Sequence, residues 1–132
     1  MDTYITKKIL MAAVVIIVLA VAVVLYWTRS QQIRFAENFP DAFEYYVQEG
    51  TVKQGNQTIK KGSNEYAVIK SWFEENTDGW KNDIKDYKTD RVLKAKKLTI
   101  NILKDGVVVN YTLDGKSWSQ VSRPKAESDL VF

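Results

Sequence analysis

One uninterrupted apolar run near the N-terminus constrains this chain more than any other feature. From Ile9 to Trp27 the sequence contains no charged residue, no proline and no glycine. As an α-helix the run spans roughly 28 Å, close to the hydrocarbon thickness of a bilayer. A helix in lipid satisfies its own backbone hydrogen bonds, so the many valines and isoleucines do not argue against it. The run therefore predicts one transmembrane anchor over residues 9–27, with the lipid bilayer as its partner.

The residues flanking this run suit a membrane–water interface. The interface residues that we predict are Lys7, Lys8, Tyr26, Trp27 and Arg29, because aromatic and basic side chains are common at that depth. The basic residues near the two ends are equal in number, so the charge rule gives no orientation. The short flank of residues 1–8 before a long C-terminal part is typical of a signal anchor. It favours a single-pass protein with its domain on the exported side, periplasmic or extracellular.

A cleaved signal peptide is the alternative to an anchor. Lys7 and Lys8 would supply its basic start, and Ala20-Val21-Ala22 its small-residue cleavage site. The apolar run nevertheless continues through Val23 to Leu25, where a signal peptide would turn polar. We therefore predict that the helix is retained.

Cysteine and histidine are both absent, which excludes several kinds of chemistry. Without cysteine there is no disulfide framework, no thiolate zinc site, no thiol nucleophile and no acylated lipoprotein residue. Without histidine the usual general base and the commonest zinc ligand are missing. We predict no metal and no cofactor. The chain has 19 basic and 16 acidic residues, a balance too even to indicate a nucleic-acid partner.

The remainder is long enough for one domain of its own. Residues 28–34 are polar and predict a juxtamembrane stalk, and residues 35–132 predict a soluble α+β domain. Aromatic spacing predicts a short helix over about 40–48, and Gly55-Asn56 predicts the turn of a hairpin over 51–61. The main helix is predicted over 65–76, where four apolar residues form one stripe: Tyr66, Ile69, Trp72 and Phe73.

Beyond Asp83 the apolar period changes to two. Strands are predicted at 98–102, 107–112 and 118–122, separated by turns at Asp105-Gly106 and Asp114-Gly115. Residues 87–94 are a candidate for a further strand. The prediction is an antiparallel meander of three to five strands packed on one main helix.

Four residues are candidates for binding: Trp80, Trp118, Leu130 and Phe132. An exposed tryptophan can stack on a ligand, although tryptophans in a small domain often fill its core. The C-terminal tail can add to a partner as a strand, with Leu130 and Phe132 in pockets, or fold back on its own sheet. A basic run could contact anionic headgroups or protect a sheet edge: Arg91, Lys94, Lys96 and Lys97.

Two functions remain open. The preferred hypothesis is a membrane-anchored binding module with a protein partner, in an accessory, assembly or inhibitor role, rather than an enzyme. The alternative is a membrane-anchored hydrolase, which needs two carboxylates facing each other across a cleft. Its candidates are Glu74, Glu75, Asp78 and Asp83. With Asp86 and Asp90 they form an acidic group, whose interleaved lysines favour a solvated surface: Lys81, Lys85 and Lys88.

Overall fold

The computed structural model describes residues 3–88 and 91–132. An N-terminal helix precedes an α+β domain whose seven strands form one antiparallel sheet in the order β2-β1-β4-β5-β6-β7-β3. The elements are α1 (Thr3–Thr28), a 3₁₀-helix (Phe35–Asn38), β1 (Ala42–Glu49), β2 (Val52–Lys60), α2 (Asn64–Glu75), β3 (Lys81–Asn82), β4 (Arg91–Lys94), β5 (Leu98–Ile102), β6 (Gly106–Thr112) and β7 (Trp118–Pro124).

Helix α1 contains the predicted anchor and extends it toward the N-terminus. Among the described residues it is the one helix long and apolar enough to cross a membrane, a property that signal sequences share. None of its side chains is buried against the rest of the protein.

Helix α2 confirms the helix predicted over residues 65–76. The Ser63 hydroxyl caps its first turn by accepting a hydrogen bond from the Tyr66 N–H at 3.2 Å. The predicted stripe is buried: Tyr66, Ile69, Trp72 and Phe73. These side chains join the apolar residues of the sheet in one core.

The sheet has seven strands, more than the three to five predicted, and part of the excess comes from a wrong helix prediction. Residues 42–49 form β1, where a helix over 40–48 was expected. Phe39, Phe43 and Tyr46 do recur at helical spacing, but Phe43 and Tyr46 point to opposite faces of a strand. Pairing of β1 with both β2 and β4 overrides that spacing, and aromatic residues are favourable in strands.

The predicted turn at Gly55-Asn56 is also wrong. The chain reverses at Gly50 (φ 61°), whereas Gly55 (φ 69°) lies inside β2. The register between β1 and β2 shifts opposite this glycine, between Tyr45 and Val47. A glycine at positive φ suits a β-bulge as well as a turn, so the dipeptide alone does not distinguish the two.

The predicted meander is confirmed as β5, β6 and β7, which pair in sequence. The candidate strand over 87–94 is present as the shorter β4, and Thr89 and Asp90 lie outside the described residues. The remaining strand, β3, pairs with β7 through two residues only.

The two faces of the sheet differ in what covers them. On the core face, Leu93, Ile100, Val109 and Val121 lie side by side on neighbouring strands and are fully buried. On the opposite face, residues 83–88 cross the sheet after β3. The Gln120 side chain there donates to the Lys85 carbonyl at 2.9 Å.

The segment after α1 is bonded to the domain. Gln31 forms an antiparallel bridge with Trp80, and the Ile33 N–H donates to the Thr77 carbonyl at 2.7 Å. The Asn82 amide donates to the Trp27 carbonyl at 3.4 Å.

Because the bridge between Gln31 and Trp80 is antiparallel, α1 lies toward the end of the sheet to which β3 runs. We call this the anchor end; β4 and β6 end there, and β5 and β7 begin there. The β1–β2 turn lies at the opposite, distal end.

Candidate functional site

Trp80 is fully buried and belongs to the core. Its ring stacks on Phe73 at a centroid distance of 5.9 Å and meets the edge of Phe35 at 5.2 Å. Its indole N–H donates to the Asn76 carbonyl at 2.9 Å. A tryptophan that is fully buried and whose polar atom is already bonded offers no surface to a partner.

The C-terminal tail folds back on its own sheet. Leu130 is buried, and its carbonyl accepts a hydrogen bond from the Arg91 guanidinium at 2.9 Å. The Phe132 ring lies 5.5 Å from that of Tyr45, and the same guanidinium lies over it at 5.3 Å. Both candidate residues of the tail are therefore held within the domain.

Trp118 is the one of the four candidates that is exposed, with 51% of its surface accessible. It begins β7 at the anchor end, just after the β6–β7 turn, and Leu113 on the other side of that turn is 87% accessible. The Asp114 carboxylate accepts hydrogen bonds from the N–H groups of Lys116 (2.8 Å) and Ser117 (2.9 Å). These backbone hydrogen bonds lower the pKa of Asp114. The two apolar side chains thus project from an ordered turn.

Asp83 lies at the centre of a hydrogen-bonded group on the crossing segment. Its carboxylate accepts from the Tyr87 hydroxyl, from the Ser122 hydroxyl at 2.7 Å and from the Lys85 N–H at 2.9 Å. Partial burial acts to raise the pKa of this carboxyl, but the three hydrogen bonds outweigh it and hold the pKa below its usual value. The group fastens the crossing segment to β7.

The acidic residues proposed for a hydrolase do not converge. Glu74 pairs with Lys70 at 4.0 Å on α2, and Asp78 pairs with Arg123 at 3.9 Å. Asp83 bonds to Ser122 on the face of the sheet that α2 does not cover, so the sheet separates it from Glu74 and Glu75. Asp90 lies outside the described residues. Within the described ranges, no group of three or more acidic residues could hold a metal ion.

A row of amides on the crossing-segment face was not anticipated from the sequence. The Asn101 amide donates to Asn110 at 3.0 Å, and the Asn110 amide donates to Gln120 at 2.8 Å. A cleft of about 170 Å³ lies beside them under residues 85–87. The amides satisfy one another, which accounts for polar side chains on this partly covered face.

The outer edge of β2, like the row of amides, was not predicted from the sequence. All residues of β2 except Ile59 are exposed. No segment of residues 3–88 or 91–132 pairs with that edge. The sequence predicts a turn at Gly55, and therefore two short strands where the structure has the single strand β2.

No protein-family model, no curated protein and no solved structure matches the chain. Among the described residues, two open surfaces are the outer edge of β2 and the exposed apolar residues that flank the β6–β7 turn.

The Asp83 group predicts a pH dependence of stability. Because the pKa of Asp83 is lowered on folding, its contribution is complete above the pKa of the unfolded chain and is lost as the pH falls through the folded pKa. We expect Asp83→Asn to lower the free energy of unfolding at pH 7, and the difference from the wild type to shrink below about pH 4. Urea titrations of both proteins from pH 7 to pH 2.5 measure this. A difference that is constant over that range would contradict the assigned role.

Proposed function

We propose that the chain is a single-pass membrane protein whose domain, on the exported side, binds a partner protein near the bilayer. Its role would be accessory, assembly-related or inhibitory. The observation that carries the proposal is the open outer edge of β2. An unpaired edge presents a row of backbone N–H and C=O groups, to which an extended segment of another protein can add as a strand.

The side chains of β2 favour this use of its edge. Residues 54–58 are Gln-Gly-Asn-Gln-Thr, and all five are exposed. They carry no charge and no large apolar group, so an incoming strand reaches the backbone without desolvating a charged side chain. If the same edge of a second copy paired with it, the lysines at positions 53 and 60 would bring like charges together, which disfavours pairing between copies. The edge thus combines access with protection against self-association.

The position of the edge also suits a tethered module. The β1–β2 turn lies at the distal end, away from α1, and β1 pairs with β4 through only four residues, Glu44–Val47. The hairpin therefore projects into the solvent with its outer edge free. The hydrolase alternative lacks a comparable observation, because its candidate carboxylates do not face each other across a cleft.

Site-specific photocrosslinking in intact membranes tests the proposal. A photoreactive amino acid replaces Gln57 on β2, and Glu75 on the exposed side of α2 is the matched control. We expect a discrete adduct from position 57 and at least a severalfold weaker one from position 75. Mass spectrometry of the adduct would then map a contiguous extended segment of the partner.

Either of two results would refute the proposed edge. One is the absence of any adduct at position 57 when the protein is expressed at its native level. The other is an equal yield of the same adducts from positions 57 and 75, which indicates random collisions in the membrane.

A further inference from the structure

Three large apolar side chains are exposed at the anchor end of the sheet. Ile84 is 81% accessible, Leu113 87% and Trp118 51%. Leu113 and Trp118 flank the β6–β7 turn, and Ile84 lies two residues after β3, the strand that pairs with β7. Single exposed apolar residues are ordinary, but three at one end of a small domain indicate a contact surface.

This end is also where the chain joins its anchor. Asn82 bonds to the carbonyl of Trp27, and Asn82 pairs in register with Val121. Trp118 precedes Val121 by three residues and so lies about 10 Å farther toward the anchor end. Between α1 and the Gln31 bridge there are only two residues, Arg29 and Ser30, so the domain cannot move far from the point where α1 leaves the bilayer.

The turns at this end are basic. Lys94, Lys96 and Lys97 lie in or beside the β4–β5 turn, and Lys116 lies in the β6–β7 turn; all four are exposed. Within the part of the chain that the structure describes, none of the four forms an ion pair. The acidic residue of these turns, Asp114, is already bonded to backbone N–H groups. Lys85 adds a further positive charge beside Ile84.

We propose that the anchor end is a second membrane contact, by which the domain rests on the bilayer that α1 spans. Ile84, Leu113 and Trp118 enter the headgroup layer, and the lysines lie against anionic headgroups. The inference rests on the proposed single-pass anchoring. It adds that the domain is held in one orientation, with the β1–β2 turn directed away from the lipid.

The absence of cysteine from the chain allows a direct test with single spin labels. Ser117→Cys labels the β6–β7 turn. Ser128→Cys, at an exposed position in the tail, is the matched control. The full-length variants are reconstituted into vesicles of phosphatidylcholine and phosphatidylglycerol. Collisions of each nitroxide with a water-soluble nickel chelate are then measured by electron paramagnetic resonance.

We expect the label at position 117 to collide with the chelate at least about threefold less often than the label at position 128. Combining Ile84→Ala, Leu113→Ala and Trp118→Ala should remove most of that difference. High salt or vesicles of phosphatidylcholine alone should reduce it. Shielding that is unaffected by salt and by lipid charge would overturn the role of the lysines.

Equal collision rates for the two labels in vesicles that retain the protein would overturn the proposal. Shielding that disappears on tenfold dilution of the protein in lipid would also overturn it, because a second copy of the chain would then cover the surface. Vesicle flotation distinguishes failure of this inference from failure of the anchor. A chain that does not float with the vesicles lacks the anchor itself.

Discussion

Replacing Trp80 with alanine is expected to lower the free energy of unfolding by about 3–5 kcal/mol. The indole is fully buried between Phe73 and Phe35. Its removal leaves a cavity in the aromatic core and an unpaired Asn76 carbonyl. Small domains are stable by only about 5–15 kcal/mol, so this loss is a large part of the total.

Trp118→Ala is the matched control, because it removes the same side chain from an exposed position. We expect a smaller loss of about 1–2 kcal/mol, because half of the Trp118 surface is already accessible in the folded protein. Urea unfolding of the full-length protein in mild detergent, followed by near-ultraviolet circular dichroism, compares the two. Similar losses for both variants would show that Trp80 contributes no more to the core than the half-exposed Trp118.

The second large effect is expected from the position of an N-terminal truncation. The sequence predicts that the domain begins at residue 35. In the structure, however, Gln31 exchanges two backbone hydrogen bonds with Trp80, and the Ile33 N–H donates to the Thr77 carbonyl. Ile33 also packs against the core. Three hydrogen bonds and a partly buried isoleucine together correspond to about 3 kcal/mol. We therefore expect residues 35–132 to be less stable than residues 29–132 by about that amount.

Thermal and urea unfolding of the two fragments measure this difference. Gln32→Ala in the longer fragment is the control, because it keeps the backbone hydrogen bonds of Gln31 and Ile33 and removes only an exposed side chain whose amide lies 3.5 Å from the Thr77 hydroxyl. If the two fragments unfold at the same urea concentration, residues 29–34 act only as a flexible connector.

The parts of the fold that follow from local patterns were predictable. The stripe of α2 has a helical period. The β6–β7 turn has Gly115 at a positive φ of 80°, whereas Gly106 is the first residue of β6 and only marks where the preceding turn ends. The hairpin β1–β2 failed because its aromatic residues fit two periods, and because Gly55 suits either a bulge or a turn. Only the pairing of β1 with the distant β4 distinguishes them, and that pairing is not encoded locally.

The four candidate binding residues differ in exposure, and this difference also depends on contacts between residues that are remote in sequence. Sequence position placed Trp80, Leu130 and Phe132 outside the obvious core stripes. Their burial depends on Phe35, Arg91 and Tyr45, which are remote in sequence. Trp118 begins an outer strand of the meander, and its exposure follows from its place beside a polar turn. Ile84 and Leu113 were missed because an isolated apolar residue in a loop has no periodic signal.

Extraction of isolated membranes with alkaline carbonate tests the central claim, that α1 lies in lipid while the domain lies in water beside it. We predict that the full-length protein remains in the membrane pellet with its N-terminal helix intact. A variant without residues 3–28 should pass into the supernatant. Release of the full-length protein by carbonate, or a mature protein that begins at Val23, would contradict the claim.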